Sequence, residues 1–353
     1  METQIALVGL SSVELRRWVS ETLGEPAYRG TQLAKWIYQK AAADFEQMTD
    51  LPAAMRARLQ ECAVVSPNAI SLTQHSKDGT VKCLLHLADG NEVECVLLPY
   101  DDRVSVCLST QAGCAMGCRF CATAQGGYTR NLTAGEIVDQ LLHLQRLSER
   151  RISHVVLMGM GEPLLNFQQV ISALHLIHNE LGISYRRITV STVGIVPKIY
   201  ALAGYNLPIT LAVSLHAPDD ETRARIMPVN RKWGVDTLIQ AARDYFETTK
   251  RRITFEYLLL REVNDTPWHA EQLVKKLRGV PCLVNLIPFN YVPTPDDFQR
   301  PEAERVRRFR QILESGGVEV TQRTERGHDI AAACGQLRGK HRGKPIPVAI
   351  QAR

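Results

Sequence analysis

No apolar run in the 353 residues approaches the roughly 18–20 residues needed to cross a bilayer, so no helical membrane span is expected. The opening stretch, METQIALVGLSSVELRRW, lacks a basic segment followed by an apolar one, and no signal peptide is read there. Low-complexity segments and internal repeats are missing too. Nine cysteines without an export signal point to a reducing compartment, the cytoplasm, where thiols serve metals or catalysis rather than stable disulfides. Also absent is a second closely spaced cysteine pair, which a closed four-ligand zinc site usually needs.

What is present is the run Cys114-x-x-x-Cys118-x-x-Cys121, with Phe120 directly before the last thiol. Three thiolates at this spacing suit a 4Fe–4S cubane, leaving one iron open to a substrate or cofactor. Zinc is the competing occupant. The rest of the composition, 45% hydrophobic and 22% charged, is that of an ordinary globular enzyme. Net charge is +5, yet residues 1–65 carry seven Lys/Arg against eight Asp/Glu, so the excess lies downstream. The tail from Arg338 onward holds five basic residues and no acid, and doublets recur at Arg150-Arg151, Arg186-Arg187, Arg251-Arg252 and Arg307-Arg308. Such a field suits a polyanion, RNA being the natural candidate, although a solvated basic surface reads the same way.

Apolar spacing of three and four predicts helices in SSVELRRWVSETL, RGTQLAKWIYQKAAADFEQM and PAAMRARLQECAV, an all-α accessory unit over residues 1–67. Residues 68–101 read as a β-hairpin linker, TVKCLLHL and NEVECVLLP turning at Asp89-Gly90. From 102 to 339 strand and helix alternate, beginning with a capping box at Thr133 and Glu136. About six βα units with continuously apolar strands predict an α/β fold with a partial (β/α)6 barrel. Residues 340–353 form a basic tail. In such barrels reactive groups gather at the C-terminal strand ends. The cluster loop, Gly159-Met-Gly-Glu162, Ser191, Ser214-Leu-His216 and Asn290 all fall there.

The stretch VCLSTQAGCAMGCRFCATAQGGYTRNLTAGEI resembles the radical S-adenosylmethionine (SAM) methyltransferases that modify carbon 2 of adenine in 23S ribosomal RNA. MGMGEPLLN, ITVSTVG, AVSLHAP, TFEYLLL, NLIPFN and RGHDIAAACGQL continue the likeness in order, and YRGTQLAKWIY supports it upstream. A sister branch methylates carbon 8. Pro163-Leu164-Leu165 after Glu162 looks like the carbon-2 branch.

The resemblance implies a 4Fe–4S cluster on Cys114, Cys118 and Cys121 and SAM contacts from Gly161, Glu162, Ser191, Ser214, Leu215, His216 and Asn290, with Leu215 acting through its backbone. It implies that one SAM methylates Cys334 and a second supplies the radical that activates this methyl group. Cys107 then resolves the RNA-bound intermediate through a transient disulfide with Cys334, after Glu94 has accepted the carbon-2 proton. Taken alone, Cys334 and Cys107 read as small buried hydrophobes and Glu94 as a solvated hairpin residue. The partners implied are 23S rRNA and an electron donor such as flavodoxin or ferredoxin; tRNA is a substrate of some members. Cys95 after Glu94 and Tyr291 after Asn290 depart from the family pattern. A radical SAM activase or a non-catalytic metal-and-RNA-binding module are the alternatives from other classes.

Overall fold

Ser11 and Glu14 form a reciprocal cap in which the Ser11 N–H donates to the Glu14 carboxylate at 2.7 Å and the Glu14 N–H to Ser11 Oγ at 3.3 Å. This starts the helix Ser12–Leu23, whose Leu15, Val19 and Leu23 lie on one buried face. The computed structural model describes residues 4–292 and 296–338. The second predicted helix is shorter than its pattern suggested. Tyr28–Ala34 passes into a π-helical turn, Lys35–Gln39, and the helix ends before Ala41, which takes φ +52°. Tertiary contact overrides propensity here: the Arg146 guanidinium donates to the carbonyls of Ala41 and Ala42 at 2.8 and 3.2 Å. Phe45 and Met48 are buried although their backbone is not helical. The helix Ala53–Cys62 follows, and Ile5–Ala6 pairs in parallel with Ala63–Val64.

A ten-stranded sheet dominates the rest. At one edge Ala69–His75, Val81–His86 and Glu92–Pro99 form an antiparallel meander. The expected hairpin is therefore three-stranded, and it is continuous with the core: Val96 pairs with Cys107 and Pro99 with Val104. Seven parallel strands follow in chain order, Val104–Cys107, His154–Leu157, Ile188–Thr192, Thr210–Ser214, Ile253–Leu259, Cys282–Pro288 and the short Val320–Gln322. Each crossover carries a main helix: Ala134–Leu147, Phe167–Asn179, Val196–Tyr205, Val235–Thr249, Pro267–Leu277 and Ala303–Ser315. Six crossovers and an open edge make the partial barrel. The capping box at Thr133 is formed, its hydroxyl accepting from the Glu136 N–H at 3.1 Å. Central strands are buried on both faces, as Leu211, Ala212 and Val213 illustrate, so their ends project loops into one mouth.

Candidate active site

The loop after Val104–Cys107 is closed by the short antiparallel pair Gln111–Gly113 and Tyr128–Asn131, which hold Cys114, Cys118 and Cys121 between them. Backbone bonds pin the loop: the Cys114 N–H donates to the Gly127 carbonyl at 2.7 Å and the Arg119 N–H to the Ile226 carbonyl at 3.0 Å. All three thiols line one cavity. Phe120 turns its ring edge-on to His216 at 5.1 Å, packing the cluster loop against the opposite strand end. Burial raises all three thiol pKa values, and neighbouring thiols add to the effect at Cys114 and Cys118. Iron, when bound, would relieve that condition, because thiolate ligation replaces the protons. Among the described residues no His/Cys/Asp/Glu group converges to hold one ion, whereas a cubane needs each thiolate on a different iron. The donor set fits the cluster.

Gly161, Glu162, Ser191, Ser214 and His216 line the same cavity. Gly161 takes φ +103°, and a Cβ there would lie 2.6 Å from Gln111 Cβ. Glu162 is buried, with its oxygens accepting from the N–H groups of Leu164 at 2.9 Å and Val193 at 2.8 Å. Burial still pushes its carboxyl up to about 7. His216 has φ +56°, and its Nδ1 accepts from the Leu258 N–H at 2.9 Å. Burial, and then Arg223, lower its pKa to about 3, so the ring is neutral. Asn290 lines a second cavity, and its buried Oδ1 has no hydrogen-bond partner among the described residues. Such an orphan acceptor suits a hydroxyl or amino donor, as on SAM. Leu215 lines neither cavity: its N–H donates to the Glu256 carbonyl, and its own carbonyl accepts from Arg223.

Cys334 lies on the wall of both cavities, and Cys107 on that of the second. The Cys334 loop is tied to the cluster loop by the Ala122 N–H donating to Gly335 and the Thr123 hydroxyl to Leu337, both at 2.7 Å. Burial pushes the Cys107 thiol up to about 12, so it rests protonated. Both cysteines are free thiols. Glu94 does not reach either cavity wall; its carboxylate meets the Lys82 ammonium and the Arg338 N–H.

A family model described as the radical SAM superfamily matches residues 108–274, and one described as the ribosomal RNA large subunit methyltransferase N-terminal domain matches 5–65. A probable dual-specificity RNA methyltransferase RlmN of Rhodopirellula baltica is 49% identical, covering 96% of this chain and 91% of that protein. Its namesake from Bacillus licheniformis is 46% identical over 93% and 92% of the two chains. The chain belongs to the RlmN family of radical SAM RNA methyltransferases. A solved radical SAM methyltransferase from Sphaerobacter thermophilus superposes with a TM-score of 0.91 at 44% identity, covering 95% of this chain and 99% of that one.

Two residues of this RlmN-family mouth escaped the motif reading. Arg323 lines both cavities, its guanidinium 3.6 Å from Met158 Sδ, and its charge is favoured by Cys334 first and then by Glu256. Glu256 is buried in TFEYLLL, where it accepts from Asn285 at 2.8 Å. An acid inside an apolar strand was the available signal for Glu256; Arg323 offered only its place at the end of the last strand. The acid-free tail from residue 339 onward lies outside the described residues. No helix of the described residues is long and apolar enough to cross a membrane.

Proposed function

We propose that the chain methylates carbon 2 of an adenosine in the peptidyl-transferase region of 23S rRNA, with an adenosine beside the anticodon of tRNAs as a second target. The observation that carries the reading is that Cys107 and Cys334 share the wall of one cavity that adjoins the thiol-lined one. Two isolated thiols there match a relay in which one carries the group and the other resolves the adduct. Support for two RNA targets is the printed description of the relatives as dual-specificity enzymes.

Carbon 2 of adenine is electrophilic and has no acidic proton, so direct displacement from SAM does not serve. Cys114, Cys118 and Cys121 would hold a 4Fe–4S cluster, and Gly161, Glu162, Ser191, Ser214, His216 and Asn290 would orient SAM. When bound, this pair supplies the one-electron chemistry that makes a methyl group on Cys334 reactive. The Cys334 thiolate first takes that methyl group from one SAM by displacement. Its activated carbon bonds to carbon 2 and tethers the RNA. The adduct would pass one electron to the oxidised form of the carrier that serves the cluster and lose its carbon-2 proton to Glu94, in the role the family resemblance implies for that residue, leaving a closed-shell thioether ready for release. The Cys107 thiol gives up its proton as it attacks the Cys334 sulfur; the carbon–sulfur electron pair leaves with the carbon, which takes up a proton and becomes the methyl group, and a Cys107–Cys334 disulfide remains. The base must leave its stack to enter, with the helical accessory unit and the basic tail docking the RNA. A flavodoxin or ferredoxin supplies electrons.

The test is methylation of naked 23S rRNA, intact large subunits and tRNA by the iron-loaded, reduced protein with labelled SAM, read by mass spectrometry of nucleosides. Carbon-2 methyladenosine on naked rRNA is expected. A mark at carbon 8, or on protein only, would assign the chain elsewhere.

A further inference from the structure

Arg223, in the helix Asp220–Ile226, is 1% exposed and among the largest fully buried side chains. All five of its N–H groups are used. Nε donates to the Leu215 carbonyl at 2.9 Å, and Nη1 to Asn230 Oδ1 and the Trp233 carbonyl at 3.0 and 3.4 Å. Nη2 donates to the carbonyls of Val193 and Ser214 at 2.8 and 3.0 Å. Every acceptor is neutral. No carboxylate among the described residues forms an ion pair with Arg223, and Asp220 beside it accepts instead from Asn230 and from the Val235 N–H. The Asp220 charge helps from nearby without a direct contact, and a buried cation whose donors are saturated by neutral groups gains further from an anion in its surroundings.

The place for that anion is the cluster loop. The Arg223 helix accepts the Arg119 N–H through Ile226, which fixes the residue after Cys118, and the Arg223 guanidinium stands directly behind Val193 and Ser214, which line the cavity together with Cys118. On the other side its bonds to Val193 and Ser214 join the ends of the strands that carry Ser191 and Ser214. A cubane held by three thiolates is anionic and becomes more so on reduction, so a fixed positive charge favours the reduced state.

We propose that Arg223 is a positioning residue of the cluster site: its charge raises the reduction potential of the cluster, and its hydrogen bonds hold two strand ends against SAM. The inference rests on the cluster reading above. Because no N–H remains free, Arg223 acts through its field and its scaffold, not by touching SAM or sulfide.

Lysine keeps the charge but has at most three donors, and methionine keeps neither function. The experiment compares the wild type, Arg223→Lys and Arg223→Met after anaerobic loading with iron and sulfide. It measures iron content, the midpoint potential by spectroscopically monitored titration, and SAM binding by equilibrium dialysis. Arg223→Met is expected to shift to a more negative midpoint. Arg223→Lys should hold the wild-type midpoint while binding SAM about tenfold more weakly. An iron-loaded Arg223→Met with the wild-type midpoint overturns the proposal. So does an Arg223→Lys whose midpoint falls, which decides the matter where the methionine variant does not fold. A wild type that takes up no cluster instead removes the underlying reading.

Discussion

The Lys82 ammonium stands 3.3 Å from Glu94 Oε1 and donates at 3.2 Å to the carbonyl of Ala331, in the loop that carries Cys334. Both partners of this pair are largely buried, on adjacent strands where Leu84 faces Glu94 in register. One lysine thus connects the proposed proton acceptor with the segment bearing the proposed methyl carrier. Lys82→Met should lengthen the lifetime of the RNA–protein adduct about tenfold while SAM cleavage proceeds normally. Adduct decay followed on denaturing gels checks this. An unchanged lifetime would leave the pair a purely structural one.

The two thiols separate by step. Cys334→Ala should form no adduct, having no atom to carry the methyl group. Cys107→Ala should accumulate RNA covalently attached through Cys334, since the resolving thiol is missing from the shared cavity wall. Mass spectrometry of nuclease-digested protein distinguishes the cases. An adduct in the Cys334 variant would reverse the assignment.

Gly161 is held where a side chain has no room. A Cβ at φ +103° would stand 2.6 Å from Gln111 Cβ and 2.8 Å from its backbone nitrogen. The Gln111 side-chain oxygen also accepts the Glu162 N–H at 2.8 Å, so displacing Gln111 moves Glu162. Gly161→Ala is expected to cost about 1–3 kcal/mol of stability and to weaken SAM binding at least tenfold. Chemical denaturation and dialysis measure the two effects.

Glu162 makes the cluster-free protein sensitive to pH. Its carboxyl is raised by burial from 4.5 to about 7, so the folded state holds the proton more tightly than the unfolded one. The associated stability is fully present below about 4.5 and is lost as pH rises through about 7, a difference on the order of 3 kcal/mol. Glu162→Gln should therefore lose less stability than the wild type between pH 4.5 and 8 when denaturation is followed by circular dichroism. Parallel curves would show that the carboxylate is solvated in the folded protein.

Local order was legible in the sequence wherever the determinant is itself local. Cysteine spacing brings three thiols to one cavity because they sit within one short segment. The caps at Ser11 and Thr133 need only a partner three residues away. Alternating apolar strands and amphipathic helices imply the parallel barrel, and the barrel brings most motif ends to one mouth.

Contacts between distant segments could not be read in the same way. The helix expected to run to Met48 ends before Ala41 because Arg146, from the barrel, takes the Ala41 and Ala42 carbonyls. Leu215 stands in the right motif but spends its backbone groups on Glu256 and Arg223. By itself the sequence determined the fold class, the compact thiol run and the strand ends, since each follows from periodicity or short spacing. Only the tertiary structure decided that Cys107 and Cys334 share a cavity, that Glu94 is paired with Lys82 and that Arg223 is buried with no ion-paired carboxylate among the described residues, because these depend on register and crossover packing between segments remote in the chain.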